Sequence, residues 1–285
     1  MTLVYAGLSL GAVYALVAIG YNIVYVASRS FNFAQAQLMM IGAFVAYAGH
    51  VTFGLPAPAV ILLTMAVVML IAAILERVAV RPVADHQTQL ITTLGFGTVL
   101  TGLAQLIWGT QPLEVPFIGS KEAITLAGGR VYTFELGLIA MAVLLVVGIH
   151  LYTRRRLNGL AVVAMSQDAE AAVLRGVNVR TLAFAAFAVT GLLAGLMGFF
   201  IGPKTFAVAT LGSALALKGF VALAIGGFGS FYGGLAGGFT VGLVEEHAAR
   251  YLGSEFSNLS VFAILLLVLM IRPTGLFGKV QERVV

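Results

Sequence analysis

Residues 30–75 read SFNFAQAQLMMIGAFVAYAGHVTFGLPAPAVILLTMAVVMLIAAIL, a run of 46 residues that carries no formal charge. A membrane-spanning helix needs about 20 apolar residues, so the run is long enough for two such helices. Gly54, Pro56 and Pro58 interrupt it near the middle, and glycine and proline are typical turn formers. The run therefore predicts two membrane helices joined by a turn.

The composition of the whole chain agrees with this prediction. Of its 285 residues, 60% are hydrophobic and 9% are charged, and the mean hydropathy is +1.04. A soluble domain carries about 25% charged residues, so the composition excludes a soluble enzyme, a nucleic-acid-binding protein and a disordered chain. Because the apolar runs do not alternate with polar residues, we expect an all-α integral membrane protein rather than a β-barrel. The absence of cysteine excludes disulfides, iron–sulfur clusters and cysteine-ligated zinc.

We predict a polytopic bundle of eight to nine transmembrane segments. The uncharged start of the chain is interpreted as a first spanning helix rather than a cleaved signal, because it lacks a basic n-region. The predicted segments are Met1–Ser28, two in Ser30–Leu75, Gln87–Leu113, Leu136–Thr153, Thr181–Pro203, two in Thr205–Val244, and the short Phe256–Ile271.

The distribution of basic residues predicts an orientation, because cytoplasmic loops are enriched in Lys and Arg. Eleven basic residues fall on one side and four on the other, which places the C-terminus in the cytoplasm and, with nine crossings, the N-terminus outside. The predicted cytoplasmic residues are Arg29, Arg77, Arg81, Arg154, Arg155, Arg156, Arg175, Arg180, Arg272, Lys279 and Arg283. The opposite side holds Lys121, Arg130, Lys204 and Arg250.

This orientation organises the chain as a single transmembrane domain, residues 1–285, with two halves of opposite direction. The halves are residues 1–113 and 181–285, separated by an external loop (114–135), a linking span (136–153) and a cytoplasmic segment (154–180). Each half begins its second crossing with a polar, phenylalanine-bearing break, at Arg29–Gln35 and Pro203–Ala207. The pattern is typical of an inverted-topology repeat whose broken helices line a transport path.

Neutral polar residues in the first break are candidates for that path. Asn32, Gln35 and Gln37 carry amides, and an unpaired amide in hydrocarbon costs several kcal/mol. Two interpretations stay open: the amides face a wet cavity, or they form hydrogen bonds between helices, worth about 0.6 kcal/mol each on average.

Lys218 is the only charge inside a predicted span. An intramembrane ionisable group is a functional candidate by default, although its stem could also reach an interface. We favour a structural or gating ion pair for Lys218. Glu245 and Glu246 we interpret as a charge cluster at the end of a span. The glycines in Gly226–Gly229 predict a tight turn.

The segment between Arg154 and Arg180 is the most informative polar stretch. We predict a helix over Leu160–Arg175, with Gly159 before it and Gly176 ending it. Its small and acidic residues recur at helical spacings and suggest either a docking surface for a partner or a plain connection. These residues are Ala161, Ala164, Asp168, Ala171 and Ala172.

Several motifs are absent from the sequence. It contains no Gly-x-x-x-x-Gly-Lys-[Ser/Thr] motif, so we do not expect the chain to bind ATP through a P-loop. Its four histidines are scattered without metal-ligand spacing, so no metal site is predicted. We therefore expect a protein that is not an enzyme and binds no cofactor of its own.

The chain resembles the permease subunits of branched-chain amino-acid ABC importers, of the shorter permease type. The matching stretches span nearly the whole chain in order. They are Gly7–Tyr21 (GLSLGAVYALVAIGY), Phe31–Ala34 (FNFA), Met40–Ala43 (MIGA), Glu76–Val83 (ERVAVRPV), Ala164–Asn178 (AMSQDAEAAVLRGVN), Lys218–Phe220 (KGF), Gly226–Ser230 (GGFGS) and Arg272–Gly278 (RPTGLFG).

The resemblance implies a pore-forming subunit in the bacterial or archaeal inner membrane. It implies a second permease, two cytoplasmic ATPase subunits that carry ATP and magnesium, and an extracytoplasmic substrate-binding protein, with membrane lipid around the assembly and no nucleic acid. Leu160–Arg175 matches the family segment that docks on the ATPase, and Asn32–Gln37 matches the broken helix near the translocation path. The path candidates are Asn32, Phe33, Gln35, Gln37, Lys218 and Phe220.

Two departures from the family pattern bear on specificity. Relatives often carry His-Gly-Glu where this chain has Gln35, Ala36 and Gln37, and often carry Arg where Leu160 and Val163 stand here. Branched-chain amino acids, urea, short amides and aromatic or dicarboxylic acids all stay open as substrates. Two alternatives stay open: an ion- or proton-coupled secondary transporter that uses Lys218, Glu245 or Glu246 as proton carriers, and a scaffold or receptor subunit that transports nothing.

Overall fold

Helices form nearly all of the regular structure in the computed structural model, which describes residues 1–83, 85–116, 123–126 and 128–278. A two-stranded antiparallel hairpin, β1 (Ala123–Leu126) and β2 (Gly129–Tyr132), precedes the fifth helix. The helices are α1 (Thr2–Ser28), α2 (Gln35–Tyr47), α3 (Ala57–Leu75), α4 (His86–Trp108), α5 (Thr133–Arg155), α6 (Leu157–Gln167), α7 (Ala169–Leu174), α8 (Val179–Thr205), α9 (Leu211–Gly226), α10 (Phe231–Tyr251) and α11 (Phe256–Ile271). Single π-helical turns extend α2 over Ala48–Thr52 and α3 over Glu76–Val80.

Every predicted apolar segment contains a helix, which confirms an all-α membrane protein. Among the described residues, five helices are long and apolar enough to cross a membrane by length and composition: α1, α3 with its π-helical turn, α4, α5 and α8. The shorter α9 and α11 are also apolar, so the number of crossings stays a prediction. The orientation also stays a prediction, and three of its basic residues, Lys121, Lys279 and Arg283, lie outside the described residues.

Two breaks follow helices of equal length. Helices α1 and α8 both have 27 residues, and the residue after each has a positive φ, +55° at Arg29 and +58° at Phe206. Residues other than glycine rarely adopt this left-handed conformation, so each break is a specific change of chain direction. The prediction that the second break begins at Pro203 is wrong by three residues, because Pro203 lies inside α8. The predicted internal repeat itself stays a prediction.

The described residues form two compact units with interleaved chain segments. The first unit comprises Met1–Asn22, Lys121–His150 and Leu217–Val285; the second comprises Ile23–Ser120 and Leu151–Ala216. In the second unit, α8 packs against α2 and α3. A Cβ atom on Gly191 would lie 2.8 Å from the Val68 carbonyl oxygen, and one on Gly195 would lie 2.7 Å from the Thr64 carbonyl carbon. Small residues therefore allow these backbones to approach closely.

In the first unit, glycines likewise allow a close approach between the backbones of α1 and α10. A Cβ atom on Gly7 would lie 3.1 Å from Leu243 Cα, and one on Gly11 would lie 2.7 Å from both the Gly238 carbonyl oxygen and Phe239 Cα. In membranes, helices associate largely through such close packing, because the lipid is as apolar as the helix surface. The glycines of these two helices therefore hold the unit together.

We expect Gly11→Ala to lower the thermal unfolding midpoint of the detergent-solubilised protein, because the new methyl group would push α1 away from the α10 backbone. The matched control is Gly137→Ala in α5 of the same unit, where a Cβ atom would meet nothing within 4 Å. The control should unfold at or above the wild-type midpoint, since alanine favours a helix by about 1 kcal/mol over glycine. Equal midpoints for the two variants would contradict the packing argument.

Candidate functional site

The polar break between α1 and α2 lies in the second unit, and its amide side chains are buried. Asn32 and Gln35 both have an exposed fraction of 0%. The Asn32 Oδ1 accepts from the Ala34 N–H at 3.1 Å, and the Asn32 Nδ2 donates to the Gln35 Oε1 at 3.4 Å. The Gln35 Nε2 donates to the Thr190 carbonyl oxygen of α8 at 3.3 Å. These two amides therefore make local and interhelical hydrogen bonds, as the second of the two interpretations expects.

Phe33 lies in the same break and is also tied to a neighbouring helix. Its backbone N–H donates to the Thr93 hydroxyl of α4 at 3.3 Å. The ring of Phe33 lies 6.2 Å from the ring of Phe31, which in turn stacks on Tyr25 at 4.9 Å. The break is thus packed against α4 and is not a loose loop.

Gln37 differs from the other amides of this region because its acceptor is unsatisfied. It lies in the first turn of α2 with an exposed fraction of 7%, and its Oε1 has no hydrogen-bond partner among the described residues. Glycines flank it: a Cβ atom on Gly97 would lie 3.2 Å from Gln37 Cδ, and one on Gly212 would lie 3.0 Å from Gln37 Cγ. A buried acceptor without a donor costs about 1–3 kcal/mol, so Gln37 is the amide with spare capacity for a ligand.

The first unit contains a partly buried ion pair. The Lys218 Nζ of α9 lies 2.5 Å from the Glu245 Oε1 of α10, and the Tyr14 hydroxyl of α1 donates to the Glu245 Oε2 at 2.8 Å. The Lys218 Nζ also lies 5.6 Å from the centroid of the Tyr14 ring. The ion pair that we favoured for Lys218 is present. Glu245 is 8% exposed, so it is not part of a surface cluster with Glu246 as the sequence suggested.

The turn between α9 and α10 is bound by a residue of α1 that the sequence analysis missed. Asn22 is completely buried; its Nδ2 donates to the Ser230 carbonyl oxygen at 2.8 Å, and its Oδ1 accepts from the Gly229 N–H at 2.8 Å. Gly227 and Gly229 have φ angles of +99° and +81°, which confirms the predicted tight turn. Phe220, a path candidate, lies 6.1 Å from Phe228 of this turn. The signal in the sequence for these two hydrogen bonds was a single asparagine in an apolar helix.

The segment after α5 is two helices rather than the one predicted over Leu160–Arg175. Asp168 is extended, with φ −149° and ψ 104°, and it ends α6 and begins α7. Its Oδ1 accepts from the Ala171 N–H at 2.9 Å, which is an N-cap that competes with helix continuation. Gly159 lies inside α6 and not before it, whereas Gly176, with φ +83°, does end the segment.

The break changes which residues of this segment share a face. Ala161 and Ala164 belong to α6, and Ala171 and Ala172 belong to α7, so the predicted single stripe does not form. Leu160 and Leu174 are exposed, and both helices carry apolar side chains on the surface. In the described part of the chain, no group of three His, Cys, Asp or Glu side chains is close enough to hold a metal ion.

The chain is similar to known permease components of branched-chain amino acid transport systems. A family model described as branched-chain amino acid transport system, permease component, matches residues 3–271. The chain is 28% identical to the high-affinity branched-chain amino acid transport system permease protein LivH of Salmonella typhimurium, across 96% of this chain and 94% of LivH. It is 26% identical to the corresponding permease protein BraD of Pseudomonas aeruginosa, across 96% and 94% of the two chains.

One solved structure has a similar fold. A chain of the structure of PsaBC from Streptococcus pneumoniae in complex with Fab matches with a TM-score of 0.52 at 12% identity, over 97% of this chain and 94% of that chain. At this identity, the likeness concerns the fold alone.

Proposed function

Because the chain belongs to the family of branched-chain amino acid transport permease components, we propose that it moves a branched-chain amino acid or a related small polar solute into the cytoplasm. As a permease subunit of an ABC importer in the inner membrane, it is not itself an enzyme. Our proposal concerns the identity of the substrate and of the residues that contact it.

The observation that carries the substrate proposal is the unsatisfied Oε1 of Gln37. A neutral amide accepts from an ammonium or amide N–H without adding a charge to the membrane interior, where a charge costs several kcal/mol. The neighbouring Asn32 and Gln35 are occupied with each other and with α8, so they hold the break in shape. A small solute with N–H groups therefore fits this site better than a dicarboxylate does.

Transport requires partners that supply energy, and the segment around Asp168 is the proposed contact with them. We place ATP and magnesium on two cytoplasmic ATPase subunits, and we propose a second permease subunit and an extracytoplasmic binding protein. The exposed helices α6 and α7 would dock on an ATPase, with the C-terminus of the chain in the cytoplasm. The permease helices would then reorient, because the ATPase subunits would contact them differently before and after ATP hydrolysis.

Gentle detergent purification of the tagged chain tests the assembly. Stoichiometric ATPase subunits and a second permease should accompany it, and vesicles that contain the complex should take up leucine only with ATP and the binding protein. A lone chain that retains transport would instead support a secondary transporter. In that case Lys218 and Glu245, which lie in one ion pair, would be the groups to mutate next.

We expect Gln37→Leu to reduce the kcat/KM of uptake at least ten-fold with normal protein levels, because one hydrogen bond to a charged ligand group is worth about 1.5–3 kcal/mol. Leucine is close to glutamine in volume, so the packing between Gly97 and Gly212 should be retained. The exposed Gln105 of α4 provides the control variant Gln105→Leu, which should transport normally. Unchanged uptake by Gln37→Leu would mean that Gln37 only packs.

A further inference from the structure

A cavity of about 630 Å³ opens in the second unit, away from Gln37. Its walls come from the end of α1, the π-helical turn after α3, and the first turns of α4 and α8. Small-molecule sites span about 300–1,000 Å³, so this volume is sufficient for a metabolite. Its lining consists of one buried acid, two arginines and an apolar wall. Each of these three parts suits a different chemical group of a ligand.

The acid is Glu76, the first residue of the π-helical turn after α3. It is 5% exposed, and its Oε1 lies 3.4 Å from the Nε of Arg81. Its Oε2 is buried and has no hydrogen-bond partner among the described residues. A buried carboxylate with a free oxygen is costly unless a donor or cation completes it. The cavity therefore holds a position suited to an ammonium group.

The arginines provide the opposite charge. Arg180 is exposed in the first turn of α8 and lines the cavity together with Arg81. The positive end of the α8 dipole points to the same place, because the helix begins at Val179. Arginine binds carboxylates through two parallel N–H groups. This part of the cavity therefore suits a carboxylate.

The remaining wall is apolar. Val80 and Phe187 belong to one buried cluster, and Val83 and Val179 extend it around the cavity. Such a wall suits an aliphatic group of a ligand rather than a second charge, since burial of apolar area is favourable at about 25 cal/mol per Å².

We propose that this cavity binds a zwitterionic α-amino acid with an aliphatic side chain. Glu76 Oε2 holds the ammonium, Arg180 and Arg81 hold the carboxylate, and the wall around Phe187 covers the side chain. The inference deepens the proposed function and rests on it for the choice of ligand. The surrounding arginines belong to the predicted cytoplasmic side, so the ligand would be the internal amino acid that the transporter releases.

Equilibrium binding of radiolabelled leucine to the complex purified through the tagged chain, without binding protein, tests the proposal. Two analogues separate the contacts: 4-methylpentanoate lacks the ammonium, and leucinamide lacks the carboxylate. Glu76→Gln should weaken leucine binding about ten-fold and leave 4-methylpentanoate unchanged. Arg180→Gln should weaken leucine and leave leucinamide unchanged. The exposed Glu114 supplies the control Glu114→Gln, which should bind all three like the wild type.

The possible results of this binding experiment distinguish failure of the cavity proposal from failure of the proposed function. Leucine binding that neither Glu76→Gln nor Arg180→Gln weakens, or equal losses for leucine and its analogues, would overturn the proposal. So would the absence of leucine binding in a complex whose uptake with binding protein is normal, and in that case the proposed function would stand. Absence of leucine uptake by the wild-type complex would instead count against the proposed function. If Glu76→Gln does not fold, Arg180→Gln at its exposed position carries the test.

Discussion

Replacement of Glu245 by leucine should lower the free energy of unfolding by about 3 kcal/mol, the low end of the effect of removing one partner of a buried ion pair, because the Lys218 side chain is 21% exposed. The Lys218 ammonium would lose its carboxylate, and the Tyr14 hydroxyl would lose its acceptor. The thermal midpoint of the detergent-solubilised chain, followed by fluorescence-detected size exclusion, should fall clearly below the wild-type value.

Two further variants identify the cause of that loss. Glu246→Leu changes the adjacent acid, for which the described part of the chain shows no ion pair, and it should leave the midpoint nearly unchanged. The double variant Lys218→Met/Glu245→Leu should recover much of the loss, because it removes both charges together. Equal midpoints for Glu245→Leu and Glu246→Leu would contradict a stabilising role for the pair.

Asp168→Lys should abolish ATP-driven uptake while leaving the chain inserted in the membrane. The substitution removes the N-cap of α7, worth about 1 kcal/mol, which is too little to unfold the protein. It also puts a positive charge at a helix N-terminus, where the dipole disfavours it. The turn between α6 and α7 would then lose its shape where we propose that an ATPase docks.

Asp168→Asn is the matched control, since asparagine caps a helix as well as aspartate does. If the shape of the turn is what couples the subunits, Asp168→Asn should retain most of the uptake in inside-out or reconstituted vesicles. Loss in both variants would assign the role to the carboxylate charge itself. Normal uptake by Asp168→Lys would refute the coupling role of this segment.

Asp168 also illustrates where prediction from sequence stopped. Its spacing from Ala164, Ala171 and Ala172 fits one helix, and helical periodicity cannot reveal that the same side chain also satisfies the Ala171 N–H. The helix propensity of these residues favoured one continuous helix. The hydrogen bond from the Ala171 N–H to the Asp168 side chain instead favours a break between α6 and α7. Glycines were easier to interpret: Gly176 and the Gly226–Gly229 turn were predicted correctly, because positive φ angles there depend on the residue itself.

The sequence by itself determined the class of protein, the apolar segments and the family. These depend on composition, on the length of uncharged runs and on local motifs, each of which acts over a few neighbouring residues. The partners of the buried polar groups were decided only by the tertiary structure. Glu245 lies 27 residues after Lys218, and Asn22 lies more than 200 residues before Ser230. Such pairs form because a buried polar group must find a partner, and the packing of helices decides which one is within reach.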